Sequence, residues 1–485
     1  MINFGIINKI LGSLLFIEAS LMVWCLGVAF YYNEDDIFAF GVAIIITVFC
    51  GFILKYLGRN AENRLSRRDS FLVVTLAWVL FSLFGTIPFL VGGYLNSFTD
   101  AYFETMSGFT TTGATIIDDV EQLPHGILFW RSLTQWIGGL GIVFFTIAII
   151  PSLVNGSIKV FSAEATGPIK TKLHPKLSMS AKWIWMVYLG ISVCCLAGYK
   201  LCGMTWFEAI NFTMTSTATG GFSIYNSSTE YFNSPAIDYV TTFFCFLSGV
   251  NFTLLYFSVA KLKLRDLFRD SEFRLYITLI LCFTAFISFE LITKNGYSLE
   301  HAFRSAIFQV VSFITTTGLF NDNAAVWPHV TWVILAICMF VGACAGSTSG
   351  GFKCVRVVML LKITRNELRQ RLHPNAVLPV KVNGQNITDR NRVSLLAFLV
   401  AYLILALTIS VVMIYSGIDN TNAVTITLSC LGNVGPTLGT EIGPTMSWSM
   451  LPNLDKWFCS IMMLFGRLEI FTVVVILTPA FWKEN

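Results

Sequence analysis

Residues 100–115 read DAYFETMSGFTTTGAT, and the same frame returns as EAINFTMTSTATGGFS at 208–223, SAIFQVVSFITTTGLF at 305–320 and NAVTITLSCLGNVGPT at 422–437. Each copy carries Ala at its second position and Gly at its fourteenth. Gly113, Gly221, Gly318 and Gly435 therefore correspond, as do Ala101, Ala209, Ala306 and Ala423. Self-similarity at a fixed offset is the mark of an internal repeat. Thr and Gly are frequent wherever membrane helices pack closely, and that explains one TTTG or two. It does not explain four in register.

Working outward, every copy lies between two apolar spans. The upstream ones are Phe71 to Leu95, Trp183 to Cys202, Leu275 to Thr293 and Val393 to Ile414; the downstream ones are Ile127 to Ile150, Ala236 to Ala260, His329 to Leu361 and Lys456 to Phe481. Ala101 to Thr112 is too short to cross a bilayer, which takes about 20 apolar residues, but suits a half-helix that enters and returns. Non-helical backbone survives at membrane depth only where it is buried in protein or lines a water-filled cavity. Four such segments around one axis meet that condition together. Two further spans, Ile10 to Tyr31 and Ile37 to Leu57, precede the first copy. The first is too long for a signal-peptide core and lacks a small-residue exit, so it reads as a retained helix.

Composition agrees: 55% of the 485 residues are hydrophobic and only 12% charged, about half the roughly 25% charged share of a soluble domain. The expected fold is an all-α membrane protein, two N-terminal transmembrane helices followed by four helix/pore-loop/helix repeats in pseudo-fourfold arrangement around one pore. The expected units are 1–68, 69–180, 181–270, 271–390 and 391–485. Basic residues gather in every second loop: Lys55, Arg59, Arg64, Arg67 and Arg68; Lys159, Lys170, Lys172, Lys176 and Lys182; Lys261, Lys263, Arg265, Arg269 and Arg274; and Lys353 to Arg392. The intervening loops carry Glu34, Asp35, Asp36, Asp118, Asp119, Glu121, Glu230 and Asp322. The positive-inside rule puts both termini and the basic loops in the cytoplasm.

Twelve scattered cysteines, without a C-x-x-C pair, read as packing residues, and five dispersed histidines make no metal set. No nucleophile paired with a base and no phosphate loop emerges, so nothing supports an enzyme, a cofactor site or a nucleic-acid interface. The repeated segment has a different chemistry. A potassium ion sheds its water only where other dipoles replace it, and carbonyls aimed inward do so. Gly permits the backbone angles this aim requires. The candidate ion ligands are Thr111, Thr112 and Gly113; Thr219, Gly220 and Gly221; Thr316, Thr317 and Gly318; and Asn433, Val434 and Gly435. The half-helix adds the negative end of its dipole. Neutral oxygen ligands without a ring of carboxylates favour monovalent cations.

On these four segments the chain resembles, over its whole length, the membrane subunit of the bacterial Trk/Ktr potassium-uptake family, related to the HKT transporters of plants. The extra N-terminal pair resembles the TrkH branch. The resemblance implies potassium uptake across the bacterial inner membrane, a homodimer with one pore per subunit, and a cytoplasmic TrkA-type ring that binds NAD or ATP. The copies are unequal, since the second has adjacent glycines and the fourth has lost its threonines, which lowers the expected discrimination between potassium and sodium. The alternative is a symporter coupling potassium to sodium or protons, for which Glu18, Glu290 and Glu469 are the intramembrane acids.

Two further signals are read as a gate. Gly342 to Gly351 (GACAGSTSGG) interrupts the span after the third copy, and it does so in that repeat alone. Small-residue packing is the plain explanation; the position favours a mobile loop blocking the pore, made of Gly342, Gly346, Ser347, Thr348, Ser349, Gly350 and Gly351. A Walker A reading fails because Phe352-Lys353-Cys354 follows. Arg467 lies mid-span, where an unpaired charge costs about 3 kcal/mol. It either pairs with a buried acid such as Glu104 or Glu290, or faces the pore under the four segments as an electrostatic barrier. The basic stretch Lys353 to Arg392, with Arg365, Arg369 and Arg371, is assigned to docking the regulator, together with Lys159 to Lys182.

Overall fold

A computed structural model describes residues 2–61, 65–142, 177–260, 264–376, 378–439, 443 and 445–483. Arg64, Lys159, Lys170, Lys172, Lys176, Lys261 and Lys263, and the end of the first downstream span, lie outside these. Among the described residues six helices are long and apolar enough to cross a membrane: Phe4–Tyr32, Asp36–Leu57, Arg67–Val91, Ala181–Leu201, Ser271–Asn295 and Asp389–Tyr415. Two bent pairs, Pro235–Ser248 with Phe252–Val259 and Asn453–Arg467 with Phe471–Leu477, pass the same test as broken spans. The chain is an all-α membrane protein.

Each repeat contributes a half-helix: Phe98–Phe109, Trp206–Thr217, Leu299–Ile314 and Asn420–Gly432. At 1.5 Å per residue these reach about 18–24 Å, short of the roughly 30 Å hydrocarbon core. Their starts are set by Ser97, Thr205, Ser298 and Asp419 in extended or near-extended backbone, the residue types favoured at that position. At the second, Thr205 and Glu208 form a reciprocal capping box.

Each half-helix packs on its own upstream helix and on the downstream helix of the preceding repeat; the first packs on Asn453–Arg467 of the fourth. The four units therefore close into a ring. Ion pairs stitch two of these seams, Lys456 to Asp100 at 2.7 Å and Arg304 to Asp238 at 2.7 Å. The N-terminal pair, Phe4–Tyr32 and Asp36–Leu57, packs together and against the first repeat, outside the ring.

The downstream helices correct the expectation that only the third is interrupted. The first ends at Leu140 with Gly141 at φ 95°. The second bends by 100° between Ser248 and Phe252, and the fourth by 117° between Arg467 and Phe471. The third stops at Val341 and resumes at Cys354. What distinguishes the third repeat is the length of its break. Beyond Cys354–Leu372 a two-stranded hairpin, Lys381–Val382 against Gln385–Asn386, turns on Asn383-Gly384, both with positive φ, the signature of a two-residue type I′ turn.

Candidate functional site

The four half-helices end identically, from unequal sequences. The N–H groups of Thr111, Thr219, Thr316 and Asn433 bond three residues back, to the carbonyls of Gly108, Ser216, Phe313 and Cys430. Those of Thr112, Gly220, Thr317 and Val434 bond five residues back, to Ser107, Thr215, Ser312 and Ser429, at 2.8–2.9 Å. This pair of bonds is a Schellman termination, whose left-handed residue is usually Gly. Here the left-handed residues are three threonines and an asparagine, with φ of 55°, 54°, 57° and 53°. A β-branched residue there is an outlier costing about 1–3 kcal/mol, strain of a kind that concentrates at functional sites.

Two residues on, Gly113, Gly221, Gly318 and Gly435 are left-handed again, at φ 82°, 80°, 82° and 96°, while the residue between them is not. Alternating handedness turns successive carbonyls toward one side. A Cβ on Gly113 would strike the carbonyl of Gly220, on Gly221 that of Thr317, on Gly318 that of Val434, and on Gly435 that of Thr112. Each strand thus abuts the carbonyls of the next, and the fourth abuts the first. All four glycines line one cavity of about 100 Å³, with Arg131 on its wall. Arg131 is buried and paired to Glu104 at 2.8 Å. At the mouth, Asn226 bonds Asp119 at 2.8 Å and Val120 N at 2.9 Å, joining the loops that follow the strands of repeats one and two. That bond, the largest influence on Asp119, holds its carboxyl below the usual range.

The departures in the second and fourth copies have local causes. Where the first and third copies carry Thr112 and Thr317, the second has Gly220, and the Gln135 carboxamide fills the space a side chain there would need. Gln135 donates to Gly220 O at 2.7 Å and accepts from Phe222 N at 3.0 Å. In the fourth copy Asn433 donates to Thr112 Oγ1 at 3.0 Å and Met463 O at 2.9 Å. Gln135 was not found from the sequence, since a lone Gln in an apolar span carries no pattern.

Beneath the strands, the segment Gly342 to Lys353 rises against them. Gly350 N donates to Thr316 Oγ1 at 2.7 Å, and Thr219 Oγ1 to Thr348 Oγ1 at 3.2 Å. Thr348 Oγ1 also bonds the carbonyls of Thr217 and Ser248, each at 3.2 Å, so the tip leans on the break of the second downstream helix. Arg467 donates to Thr111 Oγ1 at 3.2 Å, Thr348 O at 3.0 Å, Gly139 O at 2.6 Å and Gly138 O. The last two carbonyls lie at the C-terminal, negative end of His125–Leu140. The Trp78 ring lies 5.6 Å from the guanidinium. The acids offered as partners of Arg467 are committed elsewhere, Glu104 to Arg131 and Glu290 to Lys294. The three left-handed threonines are thus the residues whose hydroxyls meet the loop and Arg467.

A model of the TrkH family, described as a cation transport protein, matches residues 36–483. The chain belongs to the TrkH family. It is 36% identical over 480 residues to the Trk system potassium uptake protein TrkH of Halomonas elongata, covering 99% of each. It is 33% identical over 481 residues to the Trk system potassium uptake protein TrkG of Escherichia coli, again covering 99% of each. The crystal structure of the potassium transporter TrkH from Vibrio parahaemolyticus superimposes with TM-score 0.89 at 34% identity, covering 99% of this chain and 100% of that one. Family membership makes the chain a transport protein and sets aside the enzyme reading.

Two residues in the basic stretch of this TrkH-family chain are not surface charges. Lys353 and Arg356 are buried. Lys353 Nζ donates to Ser349 O, and Arg356 pairs with Glu469 at 2.6 Å and lies 4.1 Å from the Phe398 ring. Both belong under the loop; a run of positive residues cannot show which of its members turn inward. Arg365, Arg369 and Arg371 are exposed. Of the remaining acids weighed for ion coupling, Glu18 is buried in the N-terminal helix pair.

Proposed function

We propose that this chain takes up potassium through a channel-like pore in the bacterial inner membrane, with the strands at Thr111–Gly113, Thr219–Gly221, Thr316–Gly318 and Asn433–Gly435 as its ion filter. The observation that carries this reading is the closed ring in which each strand's glycine meets the carbonyls of the next. In it, carbonyl dipoles replace ion hydration. The negative ends of four half-helices add to the same field. Basic loops place both termini in the cytoplasm.

Gly342 to Lys353 is the gate. It occupies the lower face of the strands, and its removal from Thr219 and Thr316 frees those hydroxyls for an ion. Arg467 is the barrier beside it, held by carbonyls and a hydroxyl so that its charge stays under the filter. Exposed Arg365, Arg369 and Arg371 offer the surface on which a TrkA-type nucleotide-binding ring docks. Two copies assemble, each with its own pore.

The test is rubidium and potassium flux into proteoliposomes, with and without an imposed proton gradient. Passive flux that saturates weakly and ignores the proton gradient is expected. Uptake that demands the gradient would replace the pore by a coupled symporter.

A further inference from the structure

The neck of the loop is tied by a residue with no part in the pore itself. Glu272 stands second in the helix Ser271–Asn295 and is buried. Its Oε1 accepts from Ala345 N at 2.7 Å and from Val355 N at 2.9 Å. Ala345 lies where the loop leaves the third downstream helix, and Val355 lies in the first turn of the helix that follows it. One carboxylate oxygen thus closes both ends of the loop. A buried N–H left without an acceptor is costly, and Val355 N is a helix-start donor with no partner inside its own helix.

Glu272 is in turn wired to the basic face. Asp270 caps the same helix, its Oδ1 accepting from Glu272 N at 2.8 Å and Phe273 N at 2.9 Å. Its Oδ2 accepts from Asn383 Nδ2, and Asn383 Oδ1 accepts from Ser271 N at 2.9 Å. Asn383 is the first turn residue of the hairpin, where φ of 49° fixes its direction. Lys362 Nζ donates to Lys381 O at 2.8 Å, joining the hairpin to the exposed basic helix. A continuous set of hydrogen bonds therefore runs from the exposed hairpin to the neck of the loop.

We propose that Glu272 is the positioning residue that latches the loop shut, and that the hairpin tip at Asn383 sets this latch, so that a partner displacing the hairpin releases the loop. This rests on the loop being the gate.

The test is rubidium uptake by the full-length protein in liposomes. Glu272→Ala is expected to raise flux roughly tenfold, as loss of the shared acceptor leaves two buried N–H donors unpaired and shifts a two-state balance. Glu272→Gln keeps one acceptor oxygen and is expected near wild type. Asn383→Ala is expected to raise flux severalfold, and to add nothing in the Glu272→Ala background. The sodium/potassium ratio stays unchanged in all of them, a readout that general loosening would move. A variant lacking Ser347–Ser349 tests the gate separately. Faster flux there with none in Glu272→Ala overturns the latch and leaves the gate standing; no increase in either overturns both. If Glu272→Ala fails to fold, Asn383→Ala decides: raised flux at constant selectivity supports the latch, and wild-type flux overturns it.

Discussion

In the strand layer four segments of three different sequences, TTG (twice), TGG and NVG, take one backbone shape, with left-handed residues at the same two positions of each. In the layer below, the breaks of the downstream helices share a level but not a form. Gly249 to Asn251 and Leu468 to Ile470 are short bends, whereas Gly342 to Lys353 is a loop that reaches the strands. Carbonyls that must all face one axis leave the backbone no freedom, so sequence varies only where another side chain compensates. Gln135 at Gly220 and Asn433 beside Thr112 are such compensations. The lower layer has no shared geometry to keep, and its repeats have taken separate roles: a seat for the tip in the second, the loop in the third and Arg467 in the fourth.

The largest expected effect breaks the upper layer. Gly221→Ala forces a methyl into the Thr317 carbonyl at φ 80°, and potassium uptake should fall by at least about tenfold while the sodium/potassium permeability ratio rises. The corresponding change at Gly113, Gly318 or Gly435 should do the same. If none of the four moves that ratio, the strands are not the filter.

Next comes the lower layer. Arg467→Ala removes the charge under Thr111, and rubidium flux is expected to rise severalfold. Arg467→Lys should fall between, because an ammonium cannot reproduce the fork that spans Thr348, Gly138 and Gly139. Unchanged flux in Arg467→Ala would sink the barrier.

A smaller effect separates the layers at their contact. Thr316→Val leaves Gly350 N without its acceptor, at a cost of about 1 kcal/mol to the seated loop, so flux should rise a fewfold; Thr316→Ser should not differ from wild type. The smallest sharpens the account of the second copy. Gln135→Leu should shift the sodium/potassium ratio by less than any glycine substitution, because it removes support from one strand without entering the ring. A shift as large as that of Gly221→Ala would make Gln135 part of the ion site itself.

The sequence alone determined the membrane class, the four units and their half-helices, because apolar length and a glycine register are properties of the chain read in order. It also singled out Thr111, Thr219 and Thr316, though as filter residues, with nothing to say that their hydroxyls meet the loop and Arg467. It placed the interrupted span in the third repeat but missed the breaks in the others, since Gly141, Gly249 to Asn251 and Leu468 to Ile470 sit within apolar runs that read as continuous helix. Tertiary structure decided everything that depends on residues far apart in the chain. It closed repeat four onto repeat one, surrounded Arg467 with carbonyls in place of a carboxylate from Glu104 or Glu290, turned Lys353 and Arg356 inward, and set Gln135 against Gly220. A hydrogen bond is fixed by angle and distance, which one-dimensional order does not encode, whereas a repeat of spans and glycines is visible before the chain folds.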